Sequence, residues 1–331
     1  MKQEFTTGLV SIVVASYNHA GFLRQRMEGL IAQTYEACEI IVIDDCSTDN
    51  SREVLEEYRS HPKVKLVYRE KNGGWVTVSN QGIELAGGEF VIFANCDDDC
   101  KPGMIAELVK GMQIDPSVGI SFCKSLMIDE DNKILGDDFV VREKTFQARC
   151  LKSTLLSGDE MNRFLLHSCV IPNRSAALIK KQALLEHGFF SHEYKACCDW
   201  DLFFRIFKAY SCYYIAEPLN FFRQHSKTIR STLKGRIEYE EFFRLLLTKL
   251  REIKMSGLQR AYFRTAIMKL WMVYLLNPRQ KGYKNFRYHL SVVRKHDFAA
   301  LFFLVPGFIT RLSDLFFKSL ALIASKKVNN E

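Results

Sequence analysis

The strongest constraint in the sequence is an alternation of two patterns. Short apolar runs of strand length recur at residues 9–15, 39–43, 64–68, 90–94 and 118–122, and helical patterns occupy residues 22–33, 51–60, 76–86 and 102–114 between them. Runs that are apolar throughout mark strands covered on both faces, and repeated strand–helix–strand units fold as a parallel, doubly wound sheet. Ser47, Thr48, Asp49 and Asn50 can cap the second helix, and Pro102 opens the fourth. The expected class is therefore α/β, a doubly wound, mostly parallel sheet flanked by helices. Residues 125 to about 230 lose the strict alternation, with a turn at 129–132, and from Lys234 the pattern is helical with a break at Asn277 and Pro278. Three regions are expected: 1–125, 126–232 as the second half of the same domain, and a helical C-terminal extension over 233–331.

A chain of 331 residues, 47% hydrophobic and 25% charged, can bury one large core or two modest ones. Its net charge of +8 is spread along the chain, denser in Lys and Arg after about residue 223, which suits an anionic ligand or an anionic membrane surface. No helix-turn-helix, zinc-finger or RNA-recognition signature accompanies that charge, so nucleic acid is not an expected partner. Most of the ten cysteines are scattered singly, and adjacent Cys197 and Cys198 are badly placed for a shared zinc or a relaxed disulfide. Buried free thiols in a reducing compartment are expected. Residues 1–8 are polar, which argues against a secretion leader and for a cytoplasmic location.

In doubly wound sheets, ligands bind beyond the carboxyl ends of the strands. Four such ends are polar: Ser16, Tyr17 and Asn18; Asp44 and Asp45; Asn72, Gly73 and Gly74; and Asn95 through Asp99. Acidic runs are usually solvated loops or helix caps. Three consecutive carboxylates at Asp97, Asp98 and Asp99, however, repel one another and invite a hard divalent cation. A cation that also touched a diphosphate would neutralise charge growing on a leaving nucleotide. Asp44 and Asp45 can accept hydrogen bonds from a base or ribose, or serve a turn and a cap. Asp199, followed by Trp200, Asp201 and Leu202, fits an acidic first helical turn as well as it fits a general base. His225 follows Arg223 closely, where a diphosphate or metal contact competes with a purely structural role.

As an ordered set, these residues resemble family 2 of the inverting nucleotide-sugar glycosyltransferases, whose fold is called GT-A. The stretch from Val10 to Asn18 is similar to that family's first strand and loop, and Gln33–Thr34–Tyr35 followed by residues 39–49 is similar to its next block. The resemblance implies that Asp45, Ala15, Ser16 and Tyr17 line the nucleotide pocket, with Asn80, Asn95 and Asp98 also on the donor. It implies that Asp97 ligates the metal, Mn2+ or Mg2+, and that Asp199 is the general base. Three positions depart from the family pattern: Asn95 replaces an Asp, Ser79 a basic residue, and Cys198 an acidic one. Diphosphate binding is then expected to lean on the metal, on backbone groups, and on Arg223 and His225. Residues 1–125 become the nucleotide-sugar half and 126–232 the acceptor half. The implied reaction moves a hexosyl or N-acetylhexosaminyl group, first of all from a UDP-sugar, to a glycan or lipid-linked hydroxyl in cell-surface polysaccharide synthesis.

Rival classes fit less well. A glycoside hydrolase also uses two carboxylates but has no use for nucleotide-pocket residues. A dinucleotide oxidoreductase lacks its Gly-x-Gly-x-x-Gly after the first strand. A non-catalytic nucleotide-sugar binder is suggested only by Asn95. Near the end, residues 298–310 form a 13-residue uncharged stretch broken by Pro306 and Gly307, short of the ~20 residues a membrane span needs. Leu312, Leu315, Phe316, Leu320 and Ile323 recur at helical spacing beside Arg311, Asp314, Lys318, Lys326 and Lys327. Such a stripe packs on a domain or lies on an anionic membrane, and the aromatic and basic content favours peripheral contact on the cytoplasmic face.

Overall fold

The structure is a computed structural model that describes residues 5–138, 144–225, 236–276 and 286–310. The amino-terminal elements are β1 (Thr6–Ser16), α1 (Ala20–Ile31), β2 (Cys38–Asp44), α2 (Ser51–Glu56), β3 (Val64–Tyr68), α3 (Gly74–Leu85) and β4 (Gly88–Asn95). They are followed by β5 (Asp99–Cys100), α4 (Met104–Met112), β6 (Val118–Ile128), β7 (Ile134–Asp137), α5 (Lys144–Arg149), β8 (Thr154–Leu156) and α6 (Gly158–Leu165). Then come β9 (Ala177–Lys180), α7 (Lys181–His187), α8 (Cys198–Ile206) and β10 (Ser211–Arg223). Three further helices follow, α9 (Arg236–Glu252), α10 (Gly257–Leu276) and α11 (Phe286–Asp297), and after them a 3-10 helix (Phe298–Phe303) that leads into helical residues 304–310.

Ten strands form one sheet in the order β3-β2-β1-β4-β9-β6-β10-β5, with β7 paired to β6 and β8 to β10. Strands β3, β2, β1 and β4 are parallel, as their buried apolar runs require, and β6 and β10 form a second parallel pair. Short β9 lies between the two groups and runs antiparallel to both β4 and β6. β10 is hidden in the sequence because Pro218 interrupts it. Its pairing with β6 shifts register on both sides of that proline, where a missing N–H is tolerated.

β1 is the point where strand order reverses, with β2 and β3 on one side and β4 on the other. The crevice beyond its carboxyl end therefore collects the ends of β1, β2 and β4. Val10, Ile12 and Val14 of β1 are buried in one cluster with Leu23, Met27 and Leu30 of α1. On the opposite face, α3 packs so tightly over Val13 that a Cβ on Gly82 would lie 2.2 Å from Val13 Cγ1. Only glycine permits that approach, and it brings the start of α3 down beside the crevice.

The chain divides into two compact units, residues 1–194 with 198–228, and residues 195–197 with 229–331. All strands belong to the first. In the second, Arg264 of α10 pairs with Asp297 of α11 at 2.8 Å and Trp271 stacks on Phe286. All ten cysteines are free, as their spacing suggests. No described helix is long and apolar enough to cross a membrane. The stripe from Leu312 to Ile323, with its flanking basic residues, lies outside the described residues.

Candidate functional site

The loops after β1 and β2 are knitted together by short polar side chains. Asn18 adopts a left-handed backbone (φ 56°), a conformation asparagine tolerates, and its Oδ1 accepts the Thr48 N–H while its own N–H is bonded to Ser47 Oγ. Asp49 accepts the N–H of Ala20, so α1 is capped from the neighbouring loop and not by its own N-cap residue. The ring of His19, just before α1, is held by a 2.7 Å bond from Nδ1 to the Tyr17 carbonyl. A carbonyl only accepts, so Nδ1 carries the proton and, in the neutral form, Nε2 carries the lone pair.

The residues expected to line a nucleotide pocket lie at adjacent strand ends. Ala15 pairs with Ile43 and Asn95 in the sheet, Ser16 is buried with no partner for its hydroxyl among the described residues, and Tyr17 is exposed. Asp45 is 3% exposed; its carboxylate accepts the N–H groups of Gly73 and Gly74 and pairs with Arg69 at 2.9 Å. Asn80 is turned away from this corner. Its amide donates to and accepts from the backbone of Phe190, at 2.9 and 3.0 Å, and so uses both its groups on the protein.

The segment after β4 is arranged by burial. Asp98 points inward and its carboxylate accepts from Asn95 Nδ2, Asn173 Nδ2, Ser175 Oγ and the Arg223 backbone N–H at 2.6–3.1 Å. Burial, and after it the charge of Asp97, hold the Asp98 carboxyl well above the ordinary carboxylate range. Arg223 is fully buried and its guanidinium donates to the carbonyls of Asp97 and Asp129 and to Asn132 Oδ1. It shapes the loop from within and is not presented to a ligand. Asp99 accepts from Gln25 at 2.7 Å.

Asp97 faces the other way, into the crevice. Its Oδ2 lies 2.9 Å from His225 Nε2, and the ligand-capable atoms of His19, Asp97 and His225 all fall within 4.8 Å of one another. The side chain of His225 is 1% exposed and that of Asp97 18%. The Cys96 sulfur, and after it Asp97 and the Tyr17 carbonyl, favour the protonated His19 imidazole against the opposing effect of burial, raising its pKa to about 10. This corner of the crevice is therefore built to hold positive charge.

Asp199 and Asp201 both sit in the first turn of α8 but in different surroundings. Asp201 is buried and pairs with Arg205 at 2.9 Å, and Arg205 in turn holds the carbonyls of Gly188 and Phe189. Asp199 accepts only the N–H of Trp200, at 2.8 Å, and has no ion-pair partner among the described residues. Arg174 has its guanidinium over the Trp75 ring, 4.1 Å from the ring centre, and donates to Ser79 Oγ and Asn95 Oδ1. Burial lowers the Arg174 pKa, and the charges of Asp199, Cys198, Asp97 and Asp98, in that order, pull against it.

The structure thus brings Asn95, Asp97, Asp98, Arg223 and His225 together, places Ala15, Ser16, Tyr17 and Asp45 at the neighbouring strand ends, and turns Asn80 onto Phe190. His19, Asn173, Arg174 and Ser175 were not foreseen. His19 stands directly after a strand-end motif that was singled out, so position could have found it. Arg174 precedes β9 in a short 3-10 turn, in a part of the chain without a readable pattern.

With this geometry in hand, comparison with known proteins decides the family. The model for glycosyl transferase family 2 matches residues 11–186. The chain belongs to that family. A glycosyltransferase of Rickettsia prowazekii is 30% identical over 258 residues, 77% of this chain and 76% of that one. Among solved structures, S. aureus TarS 1–349 in complex with UDP-GlcNAc is similar with a TM-score of 0.65 at 16% identity, over 87% of this chain and 80% of TarS. The mannosyltransferase PcManGT from Pyrobaculum calidifontis, in complex with GDP-Man and Mn2+, has a TM-score of 0.54 at 15% identity, over 92% and 87% of the two chains. The fold of this family 2 member is GT-A, as the ordered motifs imply.

Asp98 supplies a test of the buried network. An unfolded aspartate titrates near pH ~4, whereas the folded group keeps its proton to higher pH. Its contribution to stability is therefore fully present below about pH 4 and is lost as the pH rises through the folded value. Urea unfolding from pH 4 to 7 in a metal chelator should show wild-type stability falling relative to Asp98→Asn, which lacks the titration. Parallel pH profiles would contradict this placement of Asp98.

Proposed function

We propose that this family 2 glycosyltransferase moves a hexosyl or N-acetylhexosaminyl group, with inversion, from a nucleoside diphosphate sugar to a glycan or lipid-linked hydroxyl. The observation that carries the reading is the convergence of His19, Asp97 and His225 at the switch point of the sheet, together with an Asp199 that has no ion-pair partner among the described residues. Two imidazoles and a carboxylate suit a divalent transition ion better than Mg2+, which prefers oxygen ligands. The donor set therefore fits Mn2+, held by His19, Asp97 and His225. The Tyr17 carbonyl behind His19 Nδ1 is the orienting second partner such a ligand needs. Bound there, the ion would supply positive charge to the diphosphate of the departing nucleotide.

The remaining roles follow from exposure and partners. Asp199, with a free carboxylate oxygen, takes the proton from the acceptor hydroxyl as that oxygen attacks the anomeric carbon from the face opposite the nucleotide. A single displacement of this kind inverts the anomeric configuration. The unpartnered Ser16 hydroxyl and the exposed Tyr17 ring supply a polar contact and a stacking face for the nucleobase, next to Ala15. Asp45 and Asn80 act one step back, fixing Gly73, Gly74 and Phe190 as the wall of that pocket. Asn95 and Asp98 set the direction in which Asp97 points, and Arg223 anchors the same loop. UDP is the first nucleotide expected, supported by the UDP-GlcNAc complex of TarS, with GDP behind it.

Replacing Asp199 by Asn keeps the shape and removes the base. Release of nucleoside diphosphate, with a membrane glycolipid extract as acceptor, should fall by roughly 10²- to 10⁴-fold while donor affinity by calorimetry stays the same. Undiminished transfer in Asp199→Asn would remove it from the mechanism.

A lipid-linked acceptor calls for a membrane surface, and the second unit carries one. Phe298, Phe302, Val305 and Ile309 are exposed at helical spacing, and α11 immediately before them ends in Arg294, Lys295 and His296. Apolar side chains beside basic ones match an anionic bilayer held peripherally at the cytoplasmic face. The protein should co-sediment with phosphatidylglycerol vesicles but not with phosphatidylcholine vesicles, and Phe302→Glu with Val305→Glu should release it. Equal sedimentation of the double variant would refute this surface.

A further inference from the structure

Arg174 is the least ordinary charge in the first unit. Its guanidinium carbon lies over the Trp75 ring, 4.1 Å from the ring centre, so the indole covers one side and the N–H edge remains to bond. That edge makes two described hydrogen bonds, to Ser79 Oγ at 3.0 Å and Asn95 Oδ1 at 2.7 Å. Both partners are neutral. Guanidinium has five N–H donors, and among the described residues Arg174 forms no ion pair at all. Buried cations normally pair with carboxylates or lose stability. Arg223, also without a carboxylate partner among the described residues, instead has its donors taken up by the carbonyls of Asp97 and Asp129 and by Asn132 Oδ1.

The surroundings indicate what the spare donors are for. The charges of Asp199 and Asp97, the carboxylates proposed as base and as metal ligand, both act on Arg174. On the function proposed above, a donor held at Asp97 and attacked with the help of Asp199 meets the field of this guanidinium as well. The group on such a donor that needs a planar cation is the diphosphate, for which a guanidinium offers paired N–H donors in fixed geometry.

Resting on the function proposed above, we infer that Arg174 is a second cationic contact for the donor's diphosphate, complementing the charge at His19, Asp97 and His225. Ser79 and Asn95 hold the guanidinium on Trp75 without neutralising it. An aspartate at position 95 would have tied the same N–H groups into an ion pair, so the amide at Asn95 leaves the charge available for the ligand.

Calorimetry with Mn2+ on wild type, Arg174→Lys and Arg174→Met tests this, titrating UDP and uridine, and GDP and guanosine. Arg174→Met should weaken the bound diphosphate by roughly tenfold to a hundredfold and leave the matching nucleoside unchanged. Arg174→Lys should recover part of the loss, since it restores the charge but not the fork. Equal diphosphate affinity in wild type and Arg174→Met would overturn the inference. So would parallel losses of diphosphate and nucleoside affinity in both variants, which would make Arg174 a packing residue. If wild type binds neither diphosphate, the donor reading itself fails, a result distinguishable from the other two.

Discussion

The crevice depends on how the chain treats a run of acidic residues at the end of a central strand. Asp97 and Asp98 are consecutive and charged alike, and they are separated by sending Asp98 inward and Asp97 outward. The inward residue is satisfied by Asn95, Asn173, Ser175 and the Arg223 backbone. Arg223 makes that division possible. It arrives at the end of β10, bonds the Asp97 carbonyl and ties in the Asp129 carbonyl and Asn132. Removing one partner from a buried charged network of this kind typically costs about 3–5 kcal/mol, because the others are left unpaired. The direction of Asp97 is therefore set by the buried bonds of its neighbours.

Around it, charge is distributed unequally. Asp97 is met by His225 at 2.9 Å with His19 close by, Asp199 has no ion-pair partner among the described residues, and Arg174 is held by Trp75, Ser79 and Asn95. A site arranged this way is completed by ligands that carry both signs. A divalent ion answers the carboxylate and imidazoles, and a diphosphate answers the guanidinium and the ion. The acceptor hydroxyl needs only the remaining carboxylate.

Much of this was legible in the sequence, and the parts that were not have physical causes. Strands β1 to β4 are buried on both faces, so their apolar runs stand out, and the polar residues at their ends are found by counting. β10 was missed because Pro218 and two register shifts break its pattern, yet it carries Arg223 and leads to His225. The direction of a side chain is equally unreadable from one strand end. Asp97 and Asp98 look alike in the sequence, as do Asp199 and Asp201, and only packing separates the half-buried member of each pair from the buried one. Arg223 was expected on the diphosphate because it is a cation near a histidine. Its burial places it inside the loop, and Arg174, from an unpatterned turn, takes the position on the crevice.

The central claim is that His19, Asp97 and His225 form one cation site that the donor's diphosphate completes. Electron paramagnetic resonance of Mn2+ tests it directly, because the six-line signal of the free ion is lost on binding. One equivalent of protein should diminish that signal, UDP or GDP should diminish it further, and Asp97→Ala should restore it. A free-ion signal that one equivalent of wild-type protein leaves unchanged, with and without nucleoside diphosphate, would contradict the account.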